Sequence, residues 1–503
     1  MHRSKGTRTD WSITPGADFL QLNMDEAPAG GLSDWLARRL RKAISDGRLP
    51  VGARLPPTRV LAAELRVSRG VVTEAYQRLV EDGHVAGHGR RGTIVVAAPA
   101  PPVAAGPRRP PDQRPAEPSS ADALFTGVPG LDVFDALRAF PARIDLTPGR
   151  PDLAAFPRAA WSRAVRAVLR DLPAAELGYG DARGAPALRL AVANWLARNR
   201  GVRVEPDEVI IVSGVAQALG LLAQVLRGHG VREVAVEEPG SLGERQHLRG
   251  HGLDVLPIPV DSEGVRVDAL RATDAPAVLL TPAHQFPTGV VLGGERRREL
   301  MRWADAGGLV IEDDYDAEHR YDRPPVPAVR AMLPEGVCYT GSVSKLLAPA
   351  VRIGWVLPPP RLRGAMVEAK RFADLGNAVL PQFVLAHLME SGELERQLRF
   401  LRRRHRGRRD AMVAAIGTHL PGAVVHGAAA GLHLMVTFDD DVDDAELAAA
   451  ALKLGVKAQP LSWHRQRPGP PGLVLGYAAS TPSDVAEGVA VIGRALRRVR
   501  RWR

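Results

Sequence analysis

Residues 97 to 122 of this 503-residue chain read AAPAPPVAAGPRRPPDQRPAEPSSAD, and no other segment limits the fold so strongly. The stretch is rich in Pro and Ala, has no large apolar residue except Val103, and shows neither a helical nor a strand period. Such a segment buries no core and behaves as an extended, semi-stiff spacer. One fold running through it is excluded. The expected order is an N-terminal extension (1–31), a small domain (32–96), the linker (97–122) and a large domain (123–503), which agrees with a length beyond one ordinary core.

Composition removes several function classes. Hydrophobic content of 45% and charged content of 24% are those of a soluble globular chain. The single cysteine, Cys338, rules out an internal disulfide or a Cys-rich zinc site, no H-E-x-x-H helix is present, and the scattered histidines lack metal-ligand spacing, so no metal is assigned. The polar stretch Met1 to Trp11 and the lack of any apolar run near about 18 residues speak against a signal peptide or membrane span. A reducing cytoplasm is the expected compartment. The net charge is +11, and residues 1–96 hold 15 Lys and Arg against 10 Asp and Glu. That bias favours a polyanionic partner.

Leu32, Trp35, Leu36, Leu40 and Ile44 recur at helical spacing, which predicts a helix over 33–46 with Ser33 as N-cap and Gly47 as stop. A second helix follows Pro56-Pro57-Thr58. After the turn at Arg66 to Ser68, a third turns Val71, Val72, Ala75, Tyr76 and Leu79 inward. Residues 85–96, with glycines between short apolar runs, read as a β-hairpin. Three helices and a wing make an α+β winged helix-turn-helix, whose third helix would offer Ser68, Arg69, Gly70 and Thr73 to the major groove. Helix pairs around a tight turn also occur in bundles that bind nothing, and the pattern alone leaves both readings open. Gly87-His-Gly89-Arg-Arg-Gly92 satisfies G-x-G-x-x-G, but Thr93-Ile-Val-Val after it reads as a strand where a dinucleotide site needs a helix, so that function is rejected.

From about Asp145, helical stretches (161–171, 186–200) alternate with short apolar runs (208–212, 234–236, 277–280, 309–311, 354–357), the pattern of an α/β domain on a mainly parallel sheet. Its chemistry gathers at strand ends. Ser213-Gly-Val215-Ala216 turns a strand into a helix, and free amides at such a turn suit a phosphate. Glu312-Asp313-Asp314-Tyr315 places acids and a phenol after a strand, where an acid pairs with a protonated pyridine nitrogen. Lys345 follows a Ser-rich turn and precedes Arg352 by seven residues. A lysine so placed suits an imine with an aldehyde cofactor, which implies pyridoxal 5′-phosphate (PLP). Each feature alone has a plain alternative in a solvated strand end or a surface lysine; their joint order carries the reading. The run Arg399 to Arg409 reads as a solvated or dimer-facing helix or as a second DNA stripe, and the tail Arg494 to Arg503 as frayed.

Arg54-Leu-Pro-Pro-Thr-Arg59-Val-Leu-Ala, Val67-Ser-Arg69, Ala75-Tyr76 and Gly89-x-x-Gly-Thr93 resemble the GntR-family winged helix. The resemblance implies DNA contacts by Arg59, Ser68, Arg69 and Thr73, with Arg90 and Arg91 of the wing on phosphate or in the minor groove. Gly70-Val71 stands where the family has a polar pair. Leu177-Gly-Tyr179, Thr281-Pro-Ala-His-Gln-Phe-Pro-Thr-Gly289 and Ser342-x-x-Lys345 with Arg352 resemble fold-type I PLP-dependent enzymes of the aspartate aminotransferase superfamily. By that resemblance Lys345 is the Schiff-base lysine, Asp313 the partner of the pyridine nitrogen (Asp314 the runner-up), and Tyr315 lies at the phenolic oxygen. The phosphate falls to the Val215 and Ala216 amides, Ser342, Arg352 and Tyr179 of a second subunit. Ser241 stands where an aromatic stacks on the ring, and Val474 where an Arg clamps the substrate carboxylate. The domain order resembles the MocR/GabR family of bacterial PLP-binding transcriptional regulators. It implies a head-to-tail homodimer whose operator binding responds to PLP, or to PLP joined to an amine or amino-acid effector, with an aminotransferase carrying an appended DNA-binding domain as the alternative.

Overall fold

In the computed structural model the described residues are 27, 31–87, 92–96, 121–321, 326–438 and 442–501. The chain divides into two units, 1–114 and 115–503. Arg90, Arg91 and nearly all of the 97–122 linker lie outside the described residues.

In the first unit, helices Leu32–Ser45, Thr58–Leu65 and Arg69–Glu81 enclose one core of Trp35, Leu36, Leu40, Ile44, Leu61, Val72, Tyr76 and Leu79. The first helix starts one residue before the expected cap. Gly31, with φ 76°, is its N-cap and Ser33 lies inside the first turn without capping it. Ser68 does cap the third helix, its Oγ accepting from Val71 N at 3.4 Å. The wing pairs Val85–Gly87 with Thr93–Val95 antiparallel, so a strand follows Gly92. This is the expected winged helix.

The second unit is the expected α/β aminotransferase-like fold. Its large sheet has the order Ile210–Val212, Gly354–Leu357, Val337–Ser342, Leu309–Asp314, Ala277–Leu280, Glu233–Glu238, Asp254–Asp261, Gly264–Val265. Neighbours pair in parallel except at Gly354–Leu357 and at the Gly264–Val265 edge. Buried on both faces, its strands read as continuous apolar runs. A smaller antiparallel sheet joins Val424–His426, His433–Thr437, Gly472–Gly476 and Gln459–Pro460, and packs with Leu447, Val485, Val489 and Ile492.

Two local expectations change. Ala121 and Asp122, placed in the linker by composition, belong to a helix Ala121–Phe125 whose Phe125 ring stacks on Trp463 at 5.1 Å. The Arg-rich C-terminus does not fray at Arg494; helix Pro482–Arg501 runs on and buries Ala495, Leu496 and Val499. The 399–409 arginines are mostly bound within their own unit: Arg402 and Arg406 donate to the carbonyls of Glu318 and Tyr321, and Arg404 and Arg408 pair with Asp152.

Candidate cofactor site and DNA-facing helix

Strand alternation sorts the acids of Leu309–Asp314. Glu312 accepts from the amides of Val329 and Arg330, 2.9 Å each. Asp314, on the same face, is buried against Arg200 and accepts from Tyr339 Oη at 2.6 Å. Asp313 turns to the other face, where Thr340 Oγ1 donates to it at 3.0 Å and Lys345 exerts its charge. The runner-up Asp314 is thereby committed to Arg200.

Lys345 follows the strand Val337–Ser342, and its Nζ donates to the Gly149 carbonyl. Burial lowers its pKa, opposed by Asp316 and Asp313. A buried amine that loses its proton easily is a nucleophile. Ser342 pairs in register with Gly354, which brings Arg352 beside Ser213, whose carbonyl its guanidinium binds. Gly214, at φ 88°, caps helix Val215–Gly228, and the first helical bonds begin at Gln217 N, so those bonds do not use the Val215 and Ala216 amides. A Cβ on Gly214 would lie 3.5 Å from Arg352 Nη1, filling the cradle between helix terminus and guanidinium. An anion fits there. The backbone amides with Arg352, and Lys345 with Asp313, supply the kinds of group that suit a phosphorylated pyridine aldehyde. Tyr179 does not join them; it is 98% exposed.

Tyr315 Oη donates to the His284 carbonyl at 3.1 Å and lies equally near His284 Nδ1. Both Asp316 carboxylate oxygens face that Nδ1 at 3.1 Å, so Nδ1 carries the proton and donates. His433 lies against His284, ring centroids 5.1 Å apart and planes tilted by 51°, and burial depresses its pKa to about 3, which keeps it neutral. Ligand atoms of His284, Asp316 and His433 lie within 4.8 Å of one another. Spacing along the chain gave no hint of this meeting. Gly431 makes it possible, because a Cβ there would sit 2.0 Å from His284 Cε1.

The two departures from the enzyme pattern have structural occupants. Ser241 is the N-cap of helix Leu242–Gly250. Val474 is fully buried with Met435 and Leu461, and Phe286 packs on them, so an apolar cluster surrounds the position where the resemblance expects a carboxylate clamp. Sequence reasoning missed Glu244, Thr340, Asp316 and His433. Only Glu244 left a trace, in the Ser241-x-x-Glu244 spacing of a capping box.

In the first unit Arg59, Ser68, Arg69 and Thr73 are all exposed. Arg69 Nε reaches Thr58 Oγ1 at 3.4 Å, tying the third helix to the start of the second. Val71 is half-buried, while its neighbour Gly70 is exposed.

Residues 32–95 match the family described as bacterial regulatory proteins, gntR family, and residues 144–492 match aminotransferase class I and II. The probable rhizopine catabolism regulatory protein MocR of Rhizobium meliloti is 32% identical over 90% of this chain and 91% of its own length. The pyridoxine biosynthesis transcriptional regulator PdxR of Corynebacterium glutamicum is 30% identical over 92% and 95%. Among solved structures, kynurenine aminotransferase of Pyrococcus horikoshii in complex with PMP superposes with a TM-score of 0.67 at 27% identity, over 73% of this chain and 93% of that one. LysN of Thermus thermophilus, complexed with a phosphopyridoxyl-leucine, gives 0.67 at 27%, over 76% and 98%.

Proposed function

The chain belongs to the MocR-type regulators, a GntR-family winged helix followed by an aminotransferase class I and II domain, and from that premise we propose that Lys345 anchors PLP covalently and that the state of this site sets operator binding. The protein is a PLP-binding, DNA-binding transcriptional regulator. Bound PLP supplies an aldehyde able to condense with primary amines. Asp313 partners the ring nitrogen, Tyr315 the phenolic oxygen, and Val215, Ala216, Ser342 and Arg352 the phosphate. Arg59, Ser68, Arg69 and Thr73 meet the DNA, with Arg90 and Arg91 of the wing beside them. A second copy supplies Tyr179, a reading supported by its 98% exposure and by the exposure of Leu375, 61%, which lines the same cleft. A primary amine or amino acid is the effector, and the cytoplasm the compartment. Among the described residues no helix is long and apolar enough to cross a membrane.

The observations that support this reading are that Lys345 faces Asp313 and that Arg352 closes on the N-terminus of helix Val215–Gly228. Lys345→Ala should abolish the visible imine absorbance and the borohydride-fixed adduct of the purified protein while leaving it folded. A fixed adduct at another lysine would reject the assignment. The second reading, an aminotransferase, meets the apolar cluster at Val474. Sustained turnover of an amino acid with an oxo acid would promote it.

A further inference from the structure

Helix Leu242–Gly250 opens on Ser241-Leu-Gly-Glu244, the spacing of a capping box in which serine caps the backbone of the glutamate and the glutamate caps the serine in return. Only half of the box is made. Ser241 Oγ accepts from Glu244 N at 3.3 Å. The Glu244 carboxyl lies against the carboxyl of Asp313, close enough for one to bond the other. Two carboxyl groups bond one another only across a proton, because two adjacent buried carboxylates repel. Around the pair, Glu237 and Arg245 bear on Glu244, Thr340 and Lys345 bear on Asp313, and Asp314 adds its charge from the opposite face of the strand. Tyr315 feels both carboxyls together with Glu237 and Asp316. Burial is the main cause that raises the pKa of each member, Asp313 next adding to it for Glu244.

We propose that Glu244 and Asp313 hold one shared proton, and that this pair, rather than Asp313 alone, receives the ring nitrogen of the cofactor. The proposal rests on the PLP reading and concerns only how this chain delivers charge to that nitrogen. The proton balance is simple. The pair would give its shared proton to an unprotonated ring nitrogen: the carboxyl O–H bond would break as the N–H bond forms, leaving both Glu244 and Asp313 ionised. No proton is drawn from solvent for this step. With Glu244 replaced by a neutral amide, Asp313 is already ionised, and the same ring nitrogen must take its proton from water.

The test is calorimetry of PLP binding to the full-length apoprotein in buffers of different ionisation enthalpy, at pH values above the ring nitrogen's own pKa in water. Glu244→Gln should take up about one more proton per site than the wild type, and its affinity should fall by about a further tenfold per pH unit. Gln retains shape and can still donate to Asp313; Glu244→Ala guards against an artefact of that bond and should show the same extra proton. Equal proton counts and parallel pH profiles in wild type and variants would overturn the proposal alone. Absence of a borohydride-fixed adduct in the wild type would overturn the PLP reading and this proposal with it.

Discussion

Asp313 and Asp314 are neighbours with the same side chain, and a one-residue step on a strand separates their chemistry. One faces Lys345 and the other Arg200. The sequence order of acid, tyrosine and lysine made the site legible because these groups sit at strand ends, where a few positions decide everything. Glu237 was not legible, since a glutamate inside a strand has no sequence signature for burial. It accepts from Thr281 N and Oγ1 at 3.0 and 2.7 Å, yet burial raises its pKa from 4.5 to about 7. Between those values the folded form keeps a proton that the unfolded form has lost, so this group's contribution to stability falls as pH rises from about 4.5 to about 7. Glu237→Gln mimics the protonated acid and accepts from the same donors. Relative to wild type it should match at the acid end and gain about 3 kcal/mol above pH 7. Denaturant unfolding of the two proteins across that range measures the difference, and a gap that does not change with pH would reject the burial argument.

Elements were legible where a period was long enough. Pro186–Arg200, Ala277–Leu280 and Gly354–Leu357 keep the bounds expected for them. Short elements were not. Helix Ala121–Phe125 has five residues, too few to be helical alone, so its formation depends on packing that composition cannot reveal. Phe125 stacks on Trp463, Phe134 meets the same indole edge-on at 6.2 Å, and Gln246 Nε2 on helix Leu242–Gly250 holds the Gly130 carbonyl at 2.8 Å. The segment that follows the linker thus rests on the helix that bears Ser241 and Glu244. Trp463→Ala removes the shared ring and should destabilise this unit by about 3–5 kcal/mol, as for other buried aromatics. Its distinguishing mark is faster proteolysis between residues 121 and 140, detected before global unfolding. Cleavage at the wild-type rate would mean that the stack does not hold the segment.

At the scale of the molecule, two units joined by a Pro-rich spacer make affinity a question of geometry as well as contacts. Domain order was readable because each unit carries its own local signature, whereas the pairing of copies depends on a surface that no one-chain pattern encodes. On the proposed contacts, each winged helix neutralises a few phosphates through side chains such as Arg59 and Arg69. A dimer engaging two half-sites doubles that number, and the second contact becomes intramolecular, at an effective concentration set by the spacer. The logarithm of affinity falls with the logarithm of salt by about 0.9 per neutralised phosphate. Full-length protein on a two-half-site operator should therefore show about twice the salt slope found on a single half-site, with much tighter binding. Arg69→Ala changes both subunits at once. If Arg69 meets one phosphate per subunit, the variant should lower the slope by about 1.8 on the full operator and by about 0.9 on the half-site. Titrations at several salt concentrations on both DNAs give the four slopes. Equal losses on the two sites would show that only one winged helix is engaged at a time, and would remove the homodimer from the proposed mechanism.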